Sequence, residues 1–269
     1  MNWDSKKALG VAKNAAYQGG NYLKENFSLK PKVEYKGEIN LLTERDLKSQ
    51  EIVSKIIQNA FPDHSILGEE SLSLERDKEF LWVIDPLDGT TNYAHSLPIF
   101  SVSVALLVGG QAQVGVVYSP MLGEMFWALR GEGAYLNEDR ITVSGEVDLN
   151  KSLLATGFPY DLRDSSVNNV DYFNTFIFKS QAVRRCGSAA LDLAYTAAGR
   201  FDGFWELKLH PWDTAAGALL VEEAGGIITD FSGLPFDPFH GECLASNGII
   251  HTQMREIIEN VNKERKSRG

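Results

Sequence analysis

The chain has 269 residues, of which 43% are hydrophobic, so it can bury a sizeable core as one large domain or as two joined lobes. Its formal net charge of −10 argues against nucleic acid as a bulk partner, because phosphate backbones are bound by clustered Lys and Arg side chains. No apolar run is long enough to span a membrane, and residues 1–7 lack the apolar core of a signal peptide, which predicts a cytoplasmic protein. Cys186 and Cys243 lie far apart without a metal-ligand spacing, so we expect reduced thiols and no cysteine nucleophile.

Two amphipathic helices are predicted in the first part of the chain. They cover residues 6–27 and 44–60. Gly19 and Gly20 predict a weak point in the first helix. Thr43 and Asp46 resemble a capping box at the start of the second, and capping alone explains both residues. On the same grounds Lys36, between the two helices, is interpreted as an exposed lysine.

The apolar run at residues 80–84 predicts a strand that is covered on both of its faces. Pro86 and Gly89 follow it, so we expect Asp85 and Asp88 to lie on a tight turn, with both carboxylates beyond the strand end. Two acids this close repel each other unless water or a cation lies between them, and hard oxygen ligands suit Mg²⁺, Mn²⁺ or Ca²⁺. A capped turn is an equally ordinary explanation of these residue types.

Neighbouring residues favour the metal interpretation. Thr90 and Thr91 follow directly and supply hydroxyl and backbone N–H groups, which a phosphate needs beside a metal ion. The segment at residues 65–71 is predicted to be a short strand that ends on the paired acids Glu69 and Glu70, and adjacent strand ends would bring Glu69 to the same ion. The i, i+3 spacing of the two aspartates disfavours the aspartyl-phosphate mechanism, whose acids are spaced i, i+2.

The rest of the chain is predicted to form an antiparallel meander followed by alternating strands and helices. The meander covers residues 99–108, 112–118, 124–129, 131–136 and 141–143. Beyond a lobe boundary near residues 147–151, predicted strands at 153–156, 182–184, 204–206, 227–230 and 243–250 are interspersed with helices at 170–179, 189–198, 214–224 and from about 252. This alternation predicts parallel or mixed pairing in an α/β fold.

Two helix starts in the second half offer further polar groups. The helix that begins after Ser188 presents free N–H groups, which suit a hydroxylated ligand or serve no function at all. Asp213 is predicted to cap the helix that begins at residue 214, and the functional alternative is that its second oxygen reaches a metal ion. His210 and Trp212 are interpreted as packing residues.

Taken together, the motifs resemble those of the inositol monophosphatase family, within the fructose-1,6-bisphosphatase-like fold. The resemblance covers nearly the whole chain and rests on G-E-E-S at residues 68–71, W-V-I-D-P-L-D-G-T-T-N at 82–92, W-D at 212–213, A-G at 216–217 and E-A-G-G at 223–226. The second motif is the most specific. The resemblance implies a layered α/β sandwich with alternating α-β-α-β-α layers. It places the site between an N-terminal lobe of residues 1–146 and a C-terminal lobe of residues 147–269.

The resemblance also implies a role for particular residues. The implied metal ligands are Glu69, Asp85, the Leu87 carbonyl, Asp88 and Asp213, around two or three Mg²⁺ ions for which Mn²⁺ is a substitute. The implied catalytic residues are Glu69, Thr90 and Asp46, and the implied substrate contacts are Asp88, Gly89, Thr90, Ala189, Glu206, Asp213 and Lys36. For Asp46 and Lys36 this interpretation replaces the purely structural one.

The activity that the resemblance implies is hydrolysis of a small phosphorylated polyol, most directly myo-inositol monophosphate, by a metal-activated water. Fructose 1,6-bisphosphatase activity, alone or in addition, and other small phosphomonoesters such as histidinol phosphate stay open as alternatives. A non-catalytic, metal-bound interaction protein is a more remote one. The resemblance further implies a homodimer and inhibition by lithium, and neither nucleic acid nor a membrane is expected as a partner.

Overall fold

Three layers of helices alternate with two β-sheets. The computed structural model describes residues 3–27, 33–35, 41–70 and 78–268, with the backbone alone at 33–35, 41–43 and 268. Its helices are α1 (Ser5–Asn26), α2 (Glu44–Ala60), α3 (Thr90–Ala94), α4 (Val170–Phe176), α5 (Ala189–Ala197), α6 (Pro211–Glu223) and α7 (His251–Arg268). Its strands are β1 (Val33–Tyr35), β2 (Leu41–Thr43), β3 (Ser65–Gly68), β4 (Phe80–Asp88), β5 (Ser101–Val108), β6 (Gln111–Ser119), β7 (Glu124–Leu129), β8 (Gly133–Leu136), β9 (Asp139–Ile141), β10 (Leu153–Thr156), β11 (Ala182–Arg184), β12 (Gly203–Leu207), β13 (Ile227–Thr229) and β14 (Glu242–Ser246).

The two large sheets differ in how their strands pair. The seven-stranded sheet has the order β3-β4-β5-β6-β7-β8-β9, with β3 and β4 parallel and every later neighbour antiparallel, which confirms the predicted meander. The five-stranded sheet has the order β11-β10-β12-β14-β13. There β10 is parallel to β11 and β12, whereas β14 is antiparallel to β12 and β13, so the predicted mixed pairing is also confirmed. A third, two-stranded sheet pairs β1 with β2.

The first five residues of β4, at 80–84, are apolar because helices cover both faces of its sheet. Trp82 and Ile84 pack into the cluster that contains the buried faces of α1 and α2. Leu81 and Val83 point the other way and pack into the cluster that contains α5 and α6. Alternate residues of a strand face opposite sides, and burying one such side chain contributes roughly 1.5–3 kcal/mol. The strand that carries the acidic motif is therefore firmly held at the centre of the protein.

Helices α5 and α6 form the middle layer, between the two sheets. Both contact strands of the seven-stranded sheet on one side and of the five-stranded sheet on the other. Small residues allow this close packing: a Cβ added at Gly115 of β6 would lie 2.7 Å from the Ala216 carbonyl oxygen of α6. On the far side of the five-stranded sheet, α4 and α7 close the third helical layer, where Phe176 stacks on Trp205. The predicted α-β-α-β-α fold is confirmed.

The glycine pair in α1 does not weaken that helix, contrary to prediction. α1 runs unbroken through Gly19 and Gly20, and both residues are buried. A Cβ added at Gly19 would lie 2.9 Å from Cγ2 of Val53 in α2, and one at Gly20 would lie 2.5 Å from the Tyr118 ring of β6. The glycines are therefore contact points at which α1 approaches its neighbours.

Two element boundaries near the acidic residues also differ from prediction. Strand β4 extends to Asp88 instead of ending at residue 84, and its pairing with β5 shifts register between Asp85 and Asp88. The tight turn lies just beyond, at Gly89, whose φ is +100°. Helix α6 begins at Pro211, so Asp213 is its third residue and not the N-cap residue, although its carboxylate belongs to a capping box with His210.

Some smaller predictions have the following outcome. Helix α4 ends at Phe176 and not at residue 179, and β14 ends at Ser246 and not at 250. The two large sheets lie on opposite sides of residues 142–152 in the chain, but the division into lobes stays a prediction. Among the described residues, none of the helices combines the length and apolar character needed to cross a membrane.

Candidate active site

A cavity of about 790 Å³ opens where the ends of both sheets meet the first turns of α5 and α6. Most of the predicted site residues line it: Glu69, Asp85, Leu87, Asp88, Gly89, Thr90, Ala189, Glu206 and Asp213. Asp46 lies behind the wall and reaches the cavity through Thr90. Lys36 lies outside the described residues, and Thr43, the predicted cap of α2, lies where only the backbone is described.

Parallel pairing of β3 with β4 brings Glu69 beside Asp85. Gly68 stands opposite Ile84 in the register, and the Glu69 backbone N–H donates a 3.3 Å hydrogen bond to the Ile84 carbonyl. Gln50 of α2 braces this strand end, since its Oε1 accepts a hydrogen bond from the Glu70 N–H at 3.0 Å. The two acids thus come from neighbouring strand ends, as the sequence predicts.

The carboxylate of Asp88 joins the seven-stranded sheet to the start of α5. Its Oδ2 accepts hydrogen bonds from the Ser188 hydroxyl at 2.6 Å and from the Ala190 N–H at 2.8 Å. A negative charge at a helix N-terminus is favoured by the helix dipole and by the unpaired N–H groups there. Burial raises the pKa of Asp88 to about 6, although these hydrogen bonds act to lower it.

Asp213 approaches the cavity from the first turn of α6. Its Oδ2 accepts a hydrogen bond from the His210 N–H at 2.6 Å, so one oxygen holds the helix start. Burial, and next the charge of Asp88, raise the pKa of Asp213 well above its usual value. The sequence left open the alternative that one Asp213 oxygen is structural and the other reaches a metal ion. This hydrogen bond is consistent with that alternative, although Asp213 lies inside the helix.

Buried acids repel one another in this cavity. Burial raises the pKa of Asp85 well above its ordinary value, and the charges of Glu69, Asp88 and Asp213 add to the effect. Of the described residues, no three His, Cys, Asp or Glu side chains converge on one point as a complete ligand set. The donors nevertheless fit a hard divalent cation in kind, since carboxylates and a carbonyl are the ligands such ions take, and Mg²⁺ keeps several waters of its own.

The hydroxyl of Thr90 lies at 3.0 Å from two acceptors, Oδ1 of Asp46 and the carbonyl oxygen of Leu87. Asp46 is 1% exposed and lies in the first turn of α2. Thr90 begins the short helix α3 directly after the turn at Gly89. The hydroxyl therefore stands between a buried carboxylate and the cavity, which is a suitable place for moving a proton.

Several cavity residues were missed or misinterpreted in the sequence. His210 and Trp212, interpreted as packing residues, stack on each other at 4.7 Å but also line the cavity. Arg185 and Lys208 add positive charge to the lining, and Asp192 adds a buried acid. The only local signal for Arg185 is its place just before the predicted helix start at Ser188, and Lys208 has none.

The cysteines are as predicted. Both are free thiols. Burial raises the pKa of Cys186 to about 12 and that of Cys243 well above its ordinary value, so neither forms a thiolate readily.

A profile of the inositol monophosphatase family matches residues 4–265. The chain belongs to the inositol monophosphatase family.

Relatives in this family carry two kinds of name. The chain is 45% identical over 259 residues to the Nus factor SuhB of Escherichia coli, covering 95% of this chain and 96% of that one. It is equally 45% identical over 260 residues to the inositol-1-monophosphatase of Synechocystis, covering 95% and 90%. This family is generally metal-dependent, and membership supports a phosphatase, while the relatives' names leave the individual role open.

Solved structures of family members share the fold. An inositol monophosphatase from Anabaena is 44% identical and superposes with a TM-score of 0.87, over 95% of this chain and 96% of that one. The Thermotoga maritima IMPase is 35% identical, also with a TM-score of 0.87, over 96% and 98%. The five-layer architecture is thus that of the family.

Proposed function

We propose that this member of the inositol monophosphatase family is a Mg²⁺-dependent phosphomonoester hydrolase that acts on a small phosphorylated polyol, with myo-inositol monophosphate as the first candidate. The observation that carries the proposal is the gathering of Glu69, Asp85, Asp88 and Asp213 around one cavity. Acids that raise each other's pKa are costly to bury, and a bound cation is the ordinary way to offset that cost.

The proposed metal ligands are Glu69, Asp85, Asp88, Asp213 and the carbonyl oxygen of Leu87. When bound, Mg²⁺ supplies a Lewis acid that lowers the pKa of a coordinated water and neutralises charge on the phosphate. The hydrogen bonds at Asp88 and Asp213 orient these side chains before any ion arrives, because each fixes one carboxylate oxygen. The same ligands would let Mn²⁺ substitute.

Side chains of the protein are the proposed acceptors for the proton of the attacking water. Asp46 accepts the Thr90 proton in their 3.0 Å hydrogen bond, which leaves the Thr90 oxygen free to accept a hydrogen bond from the attacking water. Glu69 is the second proposed acceptor, since it lies on the cavity wall next to Asp85. Positioned proton acceptors of this kind contribute typically 10²–10⁴-fold to a rate.

The alcohol of the substrate would lie toward Ala189 and Glu206. Glu206 lines the cavity, and burial, followed by the charge of Asp192, raises its pKa to about 8. A carboxyl group that holds its proton near neutral pH both donates and accepts hydrogen bonds, which suits neighbouring hydroxyl groups on a ring. Gly89, whose backbone turns with φ +100°, and Thr90 are proposed to contact the phosphate together with Asp88 and Asp213. Lys36, outside the described residues, stays a proposed substrate contact.

The proposal is tested by phosphate release from inositol 1-phosphate, fructose 1,6-bisphosphate, histidinol phosphate and 3'-phosphoadenosine 5'-phosphate, each with Mg²⁺ and with a chelator. We expect Mg²⁺-dependent turnover with a preference for inositol 1-phosphate. Asp88→Asn and Asp213→Asn should each abolish turnover while melting like folded protein, since they remove charge without changing shape. Near-normal rates in either variant would contradict the assigned ligands.

Fructose 1,6-bisphosphate stays the nearest alternative substrate. Arg185 and Lys208 line the cavity and would offer positive charge to a second phosphate. Lys208 already pairs with Asp161 at 2.5 Å, so its charge is partly neutralised, which favours the monophosphate.

A role as a Nus factor is a second candidate, supported by the printed name of relatives that are 45% identical over nearly the whole chain. Such a role would be a binding function that need not use the carboxylates. A catalytically inactive Asp213→Asn variant that still performs it would separate the two functions. Loss of both together would assign them to the same site.

A further inference from the structure

The carboxylate of Glu206 packs directly against a residue that has no side chain. Glu206 lies on β12, and the neighbouring parallel strand β10 ends at Thr156, which stands opposite Trp205 in the register. Gly157 follows, and a Cβ placed on it would overlap the carboxylate carbon and both carboxylate oxygens of Glu206. Gly157 is not among the glycines with positive φ, so its backbone would accept an alanine. Glycine therefore fits this position because the Glu206 carboxylate fills the space that a Cβ would need.

Gly157 cannot move away from Glu206, because a buried hydrogen-bond network holds its backbone. Asn169 donates from Nδ2 to the Gly157 carbonyl and, at 2.6 Å, to the Thr156 hydroxyl, while its Oδ1 accepts from the Trp205 indole at 2.7 Å. The Thr156 hydroxyl in turn donates to the Trp205 carbonyl at 2.6 Å. Asn169, Thr156 and Trp205 are all fully buried. A buried network in which the polar atoms are satisfied is rigid.

Packing, and not hydrogen bonding, determines where the Glu206 carboxylate lies. Among the described residues, no side chain or backbone N–H donates a hydrogen bond to it, although the residue is only 8% exposed. Its oxygens are thus left for a ligand in the cavity that it lines. A carboxylate without protein donors keeps its position only through the atoms packed against it, and Gly157 is one of the residues that supply them.

We propose that Gly157 is a positioning residue that sets the selectivity of the enzyme among phosphorylated alcohols, by fixing the place at which Glu206 meets the hydroxyl groups of the substrate. The inference rests on the proposed function, in which Glu206 contacts the alcohol. A methyl group at Gly157 would push the carboxylate to another position while the phosphate and metal groups, which belong to other elements, stay in place.

The variant Gly157→Ala should raise KM for inositol 1-phosphate and leave the hydrolysis of a substrate without further hydroxyl groups nearly unchanged. We expect KM for inositol 1-phosphate to rise about tenfold, equivalent to ~1.4 kcal/mol, the order of one lost hydrogen bond. Turnover of p-nitrophenyl phosphate, whose alcohol has no further hydroxyl group, should stay within about twofold of wild type. The matched control is Gly203→Ala on β12, the strand of Glu206. Its added Cβ would lie 2.5 Å from the Met254 sulfur, and Gly203 does not line the cavity. That variant should leave both KM values unchanged.

A double-mutant cycle with Glu206→Ala decides whether the effect passes through Glu206. In the Glu206→Ala background the new methyl group no longer meets a carboxylate, so Gly157→Ala should raise KM for inositol 1-phosphate no further. A second, full increase in that background would overturn the proposal. So would an unchanged KM ratio between the two substrates in Gly157→Ala alone.

Failure of the proposed function is distinguishable from failure of this inference. A wild-type protein that releases phosphate from no substrate would refute the proposed function, whereas an active wild type with an unaffected Gly157→Ala variant would refute only the inference. The packing itself is tested without activity, by the melting temperatures of the same four proteins in the cycle. We expect Gly157→Ala to lower the melting temperature of the wild type and to have no such effect when residue 206 is alanine.

Discussion

The Thr90 hydroxyl has a single proton and two acceptors at the same distance, Asp46 and the Leu87 carbonyl. A carboxylate forms the stronger hydrogen bond, since charge-assisted bonds are roughly twice as strong as neutral ones. A cation at Leu87 would also compete for the carbonyl oxygen. The proton therefore belongs to the bond with Asp46, and the lone pairs of the hydroxyl oxygen are left for water.

Removing the Thr90 hydroxyl should lower the catalytic rate far more than removing the Thr90 methyl group. We expect Thr90→Ala to lower kcat by about 10²–10⁴-fold, the usual contribution of a positioned proton acceptor, with little change in KM. Thr90→Ser keeps the hydroxyl and should stay within about tenfold of wild type. Steady-state kinetics on inositol 1-phosphate measure both, and thermal melts verify folding. A Thr90→Ala enzyme that works at the wild-type rate would exclude Thr90 from proton transfer.

Single residues differ in how far the sequence predicts them. Asp85 and Asp88 are predicted from adjacent residues, because the end of an apolar strand, a proline and a glycine all lie within a few positions of them. Asp46 and Asp213 have ordinary capping explanations, and only the family resemblance pointed to a role for Asp46. The contact of Ser188 with Asp88 joins residues 100 positions apart, so no local pattern could reveal it.

At the scale of elements, α1 shows that tertiary packing can override a low helix propensity. By propensity, two adjacent glycines weaken a helix, and the sequence predicts such a weak point. In the structure the same glycines let α1 lie close to α2 and β6, and the buried contacts outweigh the lost propensity. Tertiary packing of this kind has no signature in a single sequence.

Alanine substitutions in α1 should therefore have opposite effects at two glycines. Gly20→Ala drives a methyl group into the Tyr118 ring, 2.5 Å away, and should lower the free energy of unfolding by about 1–3 kcal/mol. Gly10, exposed on the same helix with nothing within 4 Å of an added Cβ, is the matched control. Gly10→Ala should raise the free energy of unfolding by roughly 0.5–1 kcal/mol. Urea unfolding measures both changes; equal effects would refute the packing role of Gly20.

Periodicity predicted the regular elements well and the irregular ends poorly. Helix α2 and strands β7, β10 and β11 have the predicted bounds. Two of the errors lie at prolines: β4 continues past Pro86 through a register shift, and α6 begins at Pro211. Proline is tolerated at bulges and at the first position of a helix, where its missing N–H costs nothing. Such tolerance depends on neighbours in space. Pro86 therefore gave a wrong strand end, and Asp213, predicted as a cap, gave a wrong helix start.

At the scale of the whole molecule, the cavity makes stability depend on pH. Glu206 has its pKa raised to about 8 by burial, and Asp88 to about 6. The unfolded chain releases these protons near the ordinary carboxyl pKa of about 4. Between the unfolded and folded values the folded state holds more protons, so its stability falls as pH rises.

In chelator, the free energy of unfolding should therefore decrease from about pH 5 to about pH 8. One such proton contributes a slope of up to ~1.4 kcal/mol per pH unit. Glu206→Gln cannot release a proton and should have the shallower slope over this window, most clearly above pH 6, where Asp88 has already titrated. Urea unfolding at a series of pH values gives both slopes, and identical slopes would show that Glu206 does not hold the extra proton.

The hydrogen bond from Ala190 to Asp88 spans 102 residues of chain and has a consequence for protein synthesis. Contacts of such long range form late in folding, since the intervening chain must first close into a loop. A ribosome adds about 5–20 residues per second, so several seconds separate the emergence of Asp88 from that of α5 and then α6. Until then the nascent chain has Glu69, Asp85 and Asp88 of the carboxylate cluster but lacks Asp213. The newly made protein thus gains its complete set of acids only near the end of translation.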